Sequence, residues 1–352
     1  MISLWDPGVP FPDISKIRYL DLITHVTVHR AREGEYQFLH GAAIVAHKNV
    51  LYAAWANSLI DENSESEILR GRRSYDQGIT WSDIEVIGQP LPGEDCRSHC
   101  SFLSHDDKLW AFGARFGKIR QGSVFPGLKT EAYILDSANC SWQTVGPVAI
   151  DAWPYDEPKR MPNGNWIMGA QDSEAQAAVL ISHGDDFLHW DTVKIPIQDR
   201  IKLMFAETTI IIRKMTIVAI IRNSDQPFAL VSVSLDCGKS WTTAETSNFP
   251  MANSKAYAGL LSTGQYFIVS NTGSRDTLTV AVSSPGQDQL SHIWKIRQGV
   301  TPQPFYKGWA KSAQWSYPYA IEYDGRLFIV YSVGKEDCEL SIIPIRALAD
   351  FD

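Results

Sequence analysis

Residues able to do chemistry recur at matching points along this sequence, at the start of one β-rich run and the end of the next. In chain order they are His40 with the stretch from Asn57 to Glu67, then His99 with Arg115, and Tyr155, Asp156 and Glu157 with Gln171 and Asp172. Glu207 with Arg222 follows, then Lys255 and Tyr257 with Asn271 and Arg275, and finally Trp315, Tyr317 and Tyr319 with Lys335. Few are apolar. Guanidinium groups fork onto carboxylates, a phenol beside a carboxylate can act as nucleophile or proton carrier, and an imidazole can move a proton near neutral pH. If such positions gather at one place, they form a sugar-sized polar site walled by aromatic rings.

The elements that would gather them form a repeat. Its unit is a strand, a tight polar turn, a second strand, a longer loop, a third strand and a turn into a fourth. In the first copy "HGAAIVA", "VLYAAWA" and "EILRGRRS" are the β-rich runs, and "SYDQGITW" leads into "SDIEVIG". Later copies open near "HCSFLSHDDKLWAFGARFG", "YDEPKRMPNGNWIMGAQ", "AETTIIIRKMTIVAIIRNS", "KAYAGLLSTGQYFIVSN" and "YPYAIEYDGRLFIVYS". They recur at intervals of roughly fifty to sixty residues, as propeller blades do. The expected fold is therefore all-β, a single six-bladed propeller over residues 1–352 with four-stranded antiparallel blades. The last copy runs out after "CELSIIPI", whereas "THVTVHRA" is unassigned before the first. An amino-terminal strand completing the last blade would close the ring and remove two exposed edges. "RALADFD" is expected to form a short terminal turn.

One turn is written twice, as Ser74, Asp76, Gly78 and Trp81 and again as Ser234, Asp236, Gly238 and Trp241. Its Asp can accept from backbone N–H groups of its own turn, its Gly can take positive φ, and its Trp can fill the gap between strands. The motif marks blades, and its role is structural. Degenerate copies stand at "SHGDDFLHW" and "DSANCSW".

Composition narrows the partners. The 352 residues are 44% hydrophobic with a net charge of −8, and no Lys/Arg run stands out. That balance excludes the electrostatic footprint of a nucleic-acid binder. No run of about 18 apolar residues suggests a membrane span, and the amino terminus lacks a basic start before an apolar stretch. Five scattered cysteines suit a reducing compartment. A cytoplasmic chain is expected, or a secreted or periplasmic one if a leader has been removed. Cys96 and Cys100 with His99 and His105 have no second ligand pair at zinc-like spacing, and read better as buried thiols on a strand. No metal or cofactor is expected.

The repeated turn resembles the Asp box, or bacterial neuraminidase repeat, of the sialidase superfamily of propellers. Three further stretches are similar to that superfamily. In "ETTIIIRKMTIVAIIRN", Glu207 and Arg222 match the family's tyrosine-polarising glutamate and a carboxylate-binding arginine. In "RDTLTVAVS", Arg275 matches another such arginine. "YPYAIEYDGRLFIVYS" matches the strand pair that carries the catalytic tyrosine, with Tyr317 the best match and Tyr319 the reserve. The resemblance implies a Tyr317–Glu207 pair at the reaction centre, as in glycosidases with a tyrosine nucleophile. Arg222, Arg275, Arg115, Tyr257, Trp315, Tyr319, Asn63 and Asp156 would bind the substrate.

The first copy departs from the pattern. "FLHGA" stands where the family has Arg-Ile-Pro, so the first arginine is missing and His40 lies nearby. In "DENSESEILRGRRS" Asn63 falls at the acid/base aspartate, with Asp61, Glu62 and Glu65 close by. His40 and His99 at successive blade starts are similar to the channel-mouth histidines of propeller-fold polysaccharide lyases and rhamnose-glucuronate enzymes. Three functions are therefore carried forward. The first is an exo-acting glycoside hydrolase removing a terminal, acidic sugar from an oligosaccharide or glycan. The others are a lyase cleaving at a uronic acid by β-elimination, with His40, His99 or Tyr317 moving the proton, and a non-catalytic glycan-binding propeller. Oligomeric state is left open.

Overall fold

The computed structural model describes residues 2–89, 96–119, 124–136, 138–299 and 303–349. Six antiparallel sheets surround a central channel, each innermost strand packing near those of its neighbours. From channel to rim, the first blade contains Phe38–His47, Val50–Ser58, Ile68–Ser74 and Glu85–Gly88, and the second Cys96–His105, Lys108–Phe116, Lys129–Asp136 and Ser141–Ile150. The fourth contains Thr208–Arg213, Thr216–Ile221, Phe228–Ser234 and Glu245–Pro250, and the fifth Tyr257–Leu260, Tyr266–Asn271, Thr277–Ser283 and Leu290–Gln298. The sixth carries Trp315–Tyr323, Arg326–Val333 and Asp337–Pro344, and its outermost strand is Thr24–His29 from the other end of the chain. The ring thus closes as expected.

Sequence accounts for these elements. Runs such as "TTIIIR", "TIVAII" and "TLTVAVS" are rich in β-branched residues and almost wholly buried, because each sheet is covered by a neighbour on both faces. Both full Asp boxes form the turn expected of them. Asp76 Oδ1 accepts from Ser74 Oγ at 2.8 Å and from the Thr80 N–H at 2.9 Å, and Trp81 Nε1 donates to the Gly78 carbonyl at 3.1 Å. Asp236, Ser240 and Trp241 repeat the arrangement. In the degenerate copy at 182–190 the indole bond persists, from Trp190 to the Phe187 carbonyl, and Asp186 accepts from the Leu188 N–H at 2.9 Å. In the copy at 136–142, Ser137 lies outside the described residues, and Trp142 donates instead to Glu85. The terminal turn is a 3-10 helix, Ile345–Leu348, and 350–352 lie outside the described residues.

The third blade differs from the simple repeat. Its innermost strand is split into Trp153–Pro154 and Lys159–Arg160, both paired with Trp166–Gln171, ahead of Ala177–His183 and Asp186–Lys194. Pro154 and Pro158 lack the N–H groups a continuous ladder needs, and the Asp156 carboxylate takes the Gly169 N–H in their place.

Three innermost strands carry the same defect near their starts. In the first blade Gly41 and Ala42 oppose Trp55 alone, in the second Ser98 and His99 oppose Ala114, and in the sixth Tyr317 and Pro318 oppose Tyr331. Each is a β-bulge, which turns side chains that would otherwise alternate across the sheet. Blades six, one and two are consecutive around the ring, so the bulges bring His40, His99 and Tyr317 together at one mouth of the channel.

Candidate active site at the channel mouth

Tyr317 is the hub. Its hydroxyl donates to Glu207 Oε1 in a short hydrogen bond, and Arg222 Nη1 donates both to that hydroxyl at 3.0 Å and to Glu207 Oε2 at 2.8 Å. All three side chains are buried. Glu207 immediately precedes an inner strand and Arg222 follows the next, so one hairpin supplies both, and the Arg222 N–H donates to the Glu207 carbonyl at 3.0 Å. Burial, then the negative charge of Glu207, raises the Tyr317 phenol above its ordinary range, against the opposing pull of Arg222 and Arg275. The phenol therefore keeps its proton until a base removes it, and Glu207 is in contact to do so. Burial works against the charge of Arg222, but Glu207 and Tyr317 hold its pKa above the ordinary value.

The second arginine converges on the same place. The Arg275 guanidinium lies 5.7 Å from the centre of the Tyr317 ring. Asn253 links it to the first: its Oδ1 accepts from Arg222 Nε at 2.5 Å, and its carbonyl accepts from Arg275 Nη2 at 2.8 Å and Nε at 3.1 Å. Gln314 Oε1 takes Arg275 Nη1 at 2.9 Å. Asn253 lies in a loop between blades and belongs to no motif, so sequence reasoning missed it.

The histidines cover the other side of the phenol. The His40 ring centre lies 3.8 Å from that of Tyr317, and His99 lies 6.3 Å away. His40 Nδ1 bonds Ser332 Oγ at 3.1 Å. Burial, with the charge of Lys335 next, holds the His40 pKa well below its ordinary value, and burial followed by Lys255 and Lys335 takes His99 down to about 3. Both are neutral imidazoles at physiological pH.

Among the carboxylates of the 61–67 stretch, the structure brings Glu62 to this group. Glu62 Oε1 is 3.9 Å from His40 Nε2, and its Oε2 accepts from Lys335 Nζ at 2.7 Å. Asp61 instead caps the backbone of Trp309 and Ala310, and Glu65 pairs with Lys118 at the surface. Asn63, expected at the acid/base position, faces the rim beside Ser64 and Lys118, and its N–H donates to Glu67 at 2.6 Å. Burial first, with Glu62 adding to it, raises Glu67 to about 7.

Other expected members lie elsewhere, each for a physical reason. Arg115 reaches Glu131, which Arg97 and Tyr133 also hold, within the second blade. Asp156 is fully buried between blades three and four, bonded to the Gly169 and Ile210 N–H groups, Thr209 and Lys159. Trp315 packs on Tyr331 and Arg297, and its N–H donates to the Arg275 carbonyl, so it fixes the backbone of the arginine. Tyr257 and Tyr319 pack together 4.8 Å apart deeper in the channel, where Tyr257 donates to Glu157. Tyr257 and Glu157 line a 390 Å³ cavity formed by the far ends of the inner strands, including Ile212, Leu260 and Glu322. His105 stands at the other end of its strand from the mouth, against Trp166 and Asp185.

Comparison with known proteins fits this architecture. Residues 49–329 match the model of the BNR repeat-like domain, and the chain belongs to that family. No curated protein matches it by sequence. Among solved structures, a protein of unknown function from Dyadobacter fermentans superposes with a TM-score of 0.70 at 16% identity, over 92% of this chain and 99% of that one. Trypanosoma rangeli sialidase superposes with a TM-score of 0.65 at 13% identity, over 94% of this chain and 59% of its own. The Hadza microbial sialidase Hz136 gives 0.70 at 13%, over 92% and 69%. The chain spans about three-fifths of the trypanosomal enzyme's length. At these identities the likeness defines a sialidase-like propeller fold.

Proposed function

We propose that the protein is an exo-acting glycosidase that removes a terminal acidic sugar from an oligosaccharide or glycan. The observation that carries this reading is the Tyr317 hydroxyl held between Glu207 and Arg222, with Arg275 beside its ring. Arg222 and Arg275 bind the sugar carboxylate, which draws the anomeric carbon toward the phenol. Glu207 takes the phenol proton as the Tyr317 oxygen attacks that carbon and the glycosidic bond breaks. The departing oxygen takes its proton from solvent water. Water then hydrolyses the glycosyl–tyrosine bond and gives up a proton to solvent, restoring the one used on the leaving oxygen, while the proton on Glu207 returns to the phenol.

A second reading is favoured by one feature, the buried His40 Nε2 beside Tyr317, which could take a proton next to a uronate carboxylate and eliminate the leaving group. One incubation separates the readings. With uronic-acid-terminated and sialylated oligosaccharides, release of reducing sugar without the ultraviolet absorbance of an unsaturated uronate supports hydrolysis. Appearance of that absorbance replaces it with elimination, and binding without turnover leaves a glycan-binding propeller.

A further inference from the structure

The mouth of the channel holds two polar atoms that the glycosidase chemistry does not use. His40 Nε2 and His99 Nε2 are buried without a hydrogen-bond partner among the described residues. Their side chains are almost sealed, His40 being 2% exposed and His99 6%. Both rings face Tyr317, and their centres are 6.5 Å apart. Leaving such atoms unbonded costs about 1–3 kcal/mol each, so an arrangement that keeps two of them beside the Tyr317 phenol and its arginines points to a ligand that satisfies them.

We propose that His40, supported by His99, reads a free hydroxyl next to the sugar carboxylate, so that the site selects hexuronates over acidic sugars whose neighbouring carbon is a methylene. The inference rests on the acidic-sugar reading of the site and names its substrate class. The proton arrangement around His40 determines what its free nitrogen can accept. Ser332 Oγ has three neighbours for its one hydrogen: the Ser316 carbonyl at 3.1 Å, Ser316 Oγ at 3.2 Å and His40 Nδ1 at 3.1 Å; with the hydrogen on the carbonyl, Ser332 accepts from His40 Nδ1. A neutral imidazole carries one ring proton, and in that arrangement Nδ1 holds it. Nε2 is thus a bare lone pair.

A bare lone pair requires a donor. A carboxylate has none and is repelled, whereas an alcohol O–H is accepted. Glu62 Oε1, 3.9 Å from it, lies beyond hydrogen-bond reach and is itself an acceptor on a lysine-paired carboxylate. The carboxylate-binding groups are close by, since Arg222 bonds the Tyr317 hydroxyl and Arg275 lies against the ring that His40 covers. The ligand must therefore present a carboxylate to the arginines and a hydroxyl to His40 within the span of a single sugar edge. Hexuronates do so, because the carbon bonded to their carboxylate-bearing carbon carries a hydroxyl. In 3-deoxy-ulosonates that carbon is a methylene.

His99 is built into the same edge. A Cβ at residue 41 would lie 2.1 Å from His99 Cγ, so the ring occupies space that only glycine leaves open. Gly41, at φ +61°, thereby sets the second imidazole beside the first.

The test is calorimetric titration of the full chain with glucuronate, its 4-deoxy analogue and N-acetylneuraminate as probes. Glucuronate is expected to bind at least about tenfold more tightly than either of the others, the loss expected for one unmade buried hydrogen bond. The variant His40→Phe keeps a ring against Tyr317 without the lone pair, and should erase the difference between glucuronate and its deoxy analogue. Equal or tighter binding of the deoxy analogue or of N-acetylneuraminate overturns the inference and leaves the acidic-sugar reading intact. Failure of all three acids to bind removes that reading and the inference with it. If His40→Phe does not fold, the comparison of ligands on the unaltered chain still decides.

Discussion

Tyr317 and Gly41 occupy the same position in the bulges of adjacent blades, with φ of +58° and +61°. Glycine adopts this conformation freely, whereas tyrosine does so at a cost of about 1–3 kcal/mol. The surrounding contacts that hold Tyr317 there are the Glu207 and Arg222 bonds on its hydroxyl and the His40 ring against its face. If the conformation serves the hydroxyl, Tyr317→Phe should lower turnover of an acidic-sugar glycoside by at least about a thousandfold. The ring and the Glu207–Arg222 pair survive the change, so thermal melting should stay close to that of the unaltered chain. A Phe variant with undiminished turnover would remove Tyr317 from the chemistry.

The two arginines should fail differently. Arg222 is buried and compensates the buried Glu207 carboxylate, so Arg222→Met leaves an unpaired charge and should destabilise the protein by about 3–5 kcal/mol. Arg275 is partly exposed and its bonds go to a backbone carbonyl and an amide. Arg275→Ala should leave denaturant unfolding nearly unchanged while raising KM for an acidic substrate about tenfold or more. Measuring both variants by urea titration and steady-state kinetics checks the pair. Equal loss of stability in the two would contradict the division of roles.

The sequence pattern revealed the blades because propeller physics is local and repetitive: each blade needs its own strands and turns, and the Asp box sets the phase of the repeat. The same phase put Glu207, Arg222, Arg275, Tyr317, His40 and His99 at strand ends, and these converge. The misplaced residues share a different cause. Asp156 and Trp315 are also at inner-strand starts, but side-chain direction there depends on bulges and on a proline-split strand, which periodicity does not reveal. Asn253 joins the arginines from an inter-blade loop, where no repeat constrains residue type. Glu62 was one of four neighbouring polar residues in a loop, and only the fold distinguishes it from Asp61, which is engaged with the Trp309 backbone.

Removal of an Asp-box carboxylate should affect stability alone. Asp236 accepts from Ser234, from the Ser240 hydroxyl and from the Ser240 N–H, and it lies at the opposite end of the strands from Tyr317. Asp236→Ala should lower the melting temperature by a few degrees and leave kcat/KM unaltered, as loss of a turn's internal bonds does. The thermal melt and the kinetic assay are read on the same preparation, and a fall in kcat/KM with an unchanged melt would assign the box a role in catalysis.

Buried imidazoles make stability depend on pH in a direction that can be worked out. Burial takes His29 and His99 to about 3, with arginine charges adding for the first and lysine charges for the second, and it holds His40 well below and His47 below the ordinary value. Unfolded, each titrates near 6.5. Between those values the unfolded chain binds protons that the folded chain does not, so the histidine contribution is complete above about pH 6.5 and is lost as pH falls. Glu67 acts oppositely, since burial raises it from 4.5 to about 7 and its contribution is lost as pH rises through that range. The depressed histidines, His292 among them, outnumber the raised carboxyls Glu67, Glu157 and Asp337, and urea midpoints should fall from about pH 7 to about pH 5. Glu67→Gln removes part of the opposing slope, so that variant should show a steeper fall over the same interval. A flat profile in both proteins would mean that the histidines are hydrated in solution and that the channel mouth is more open than its packing implies.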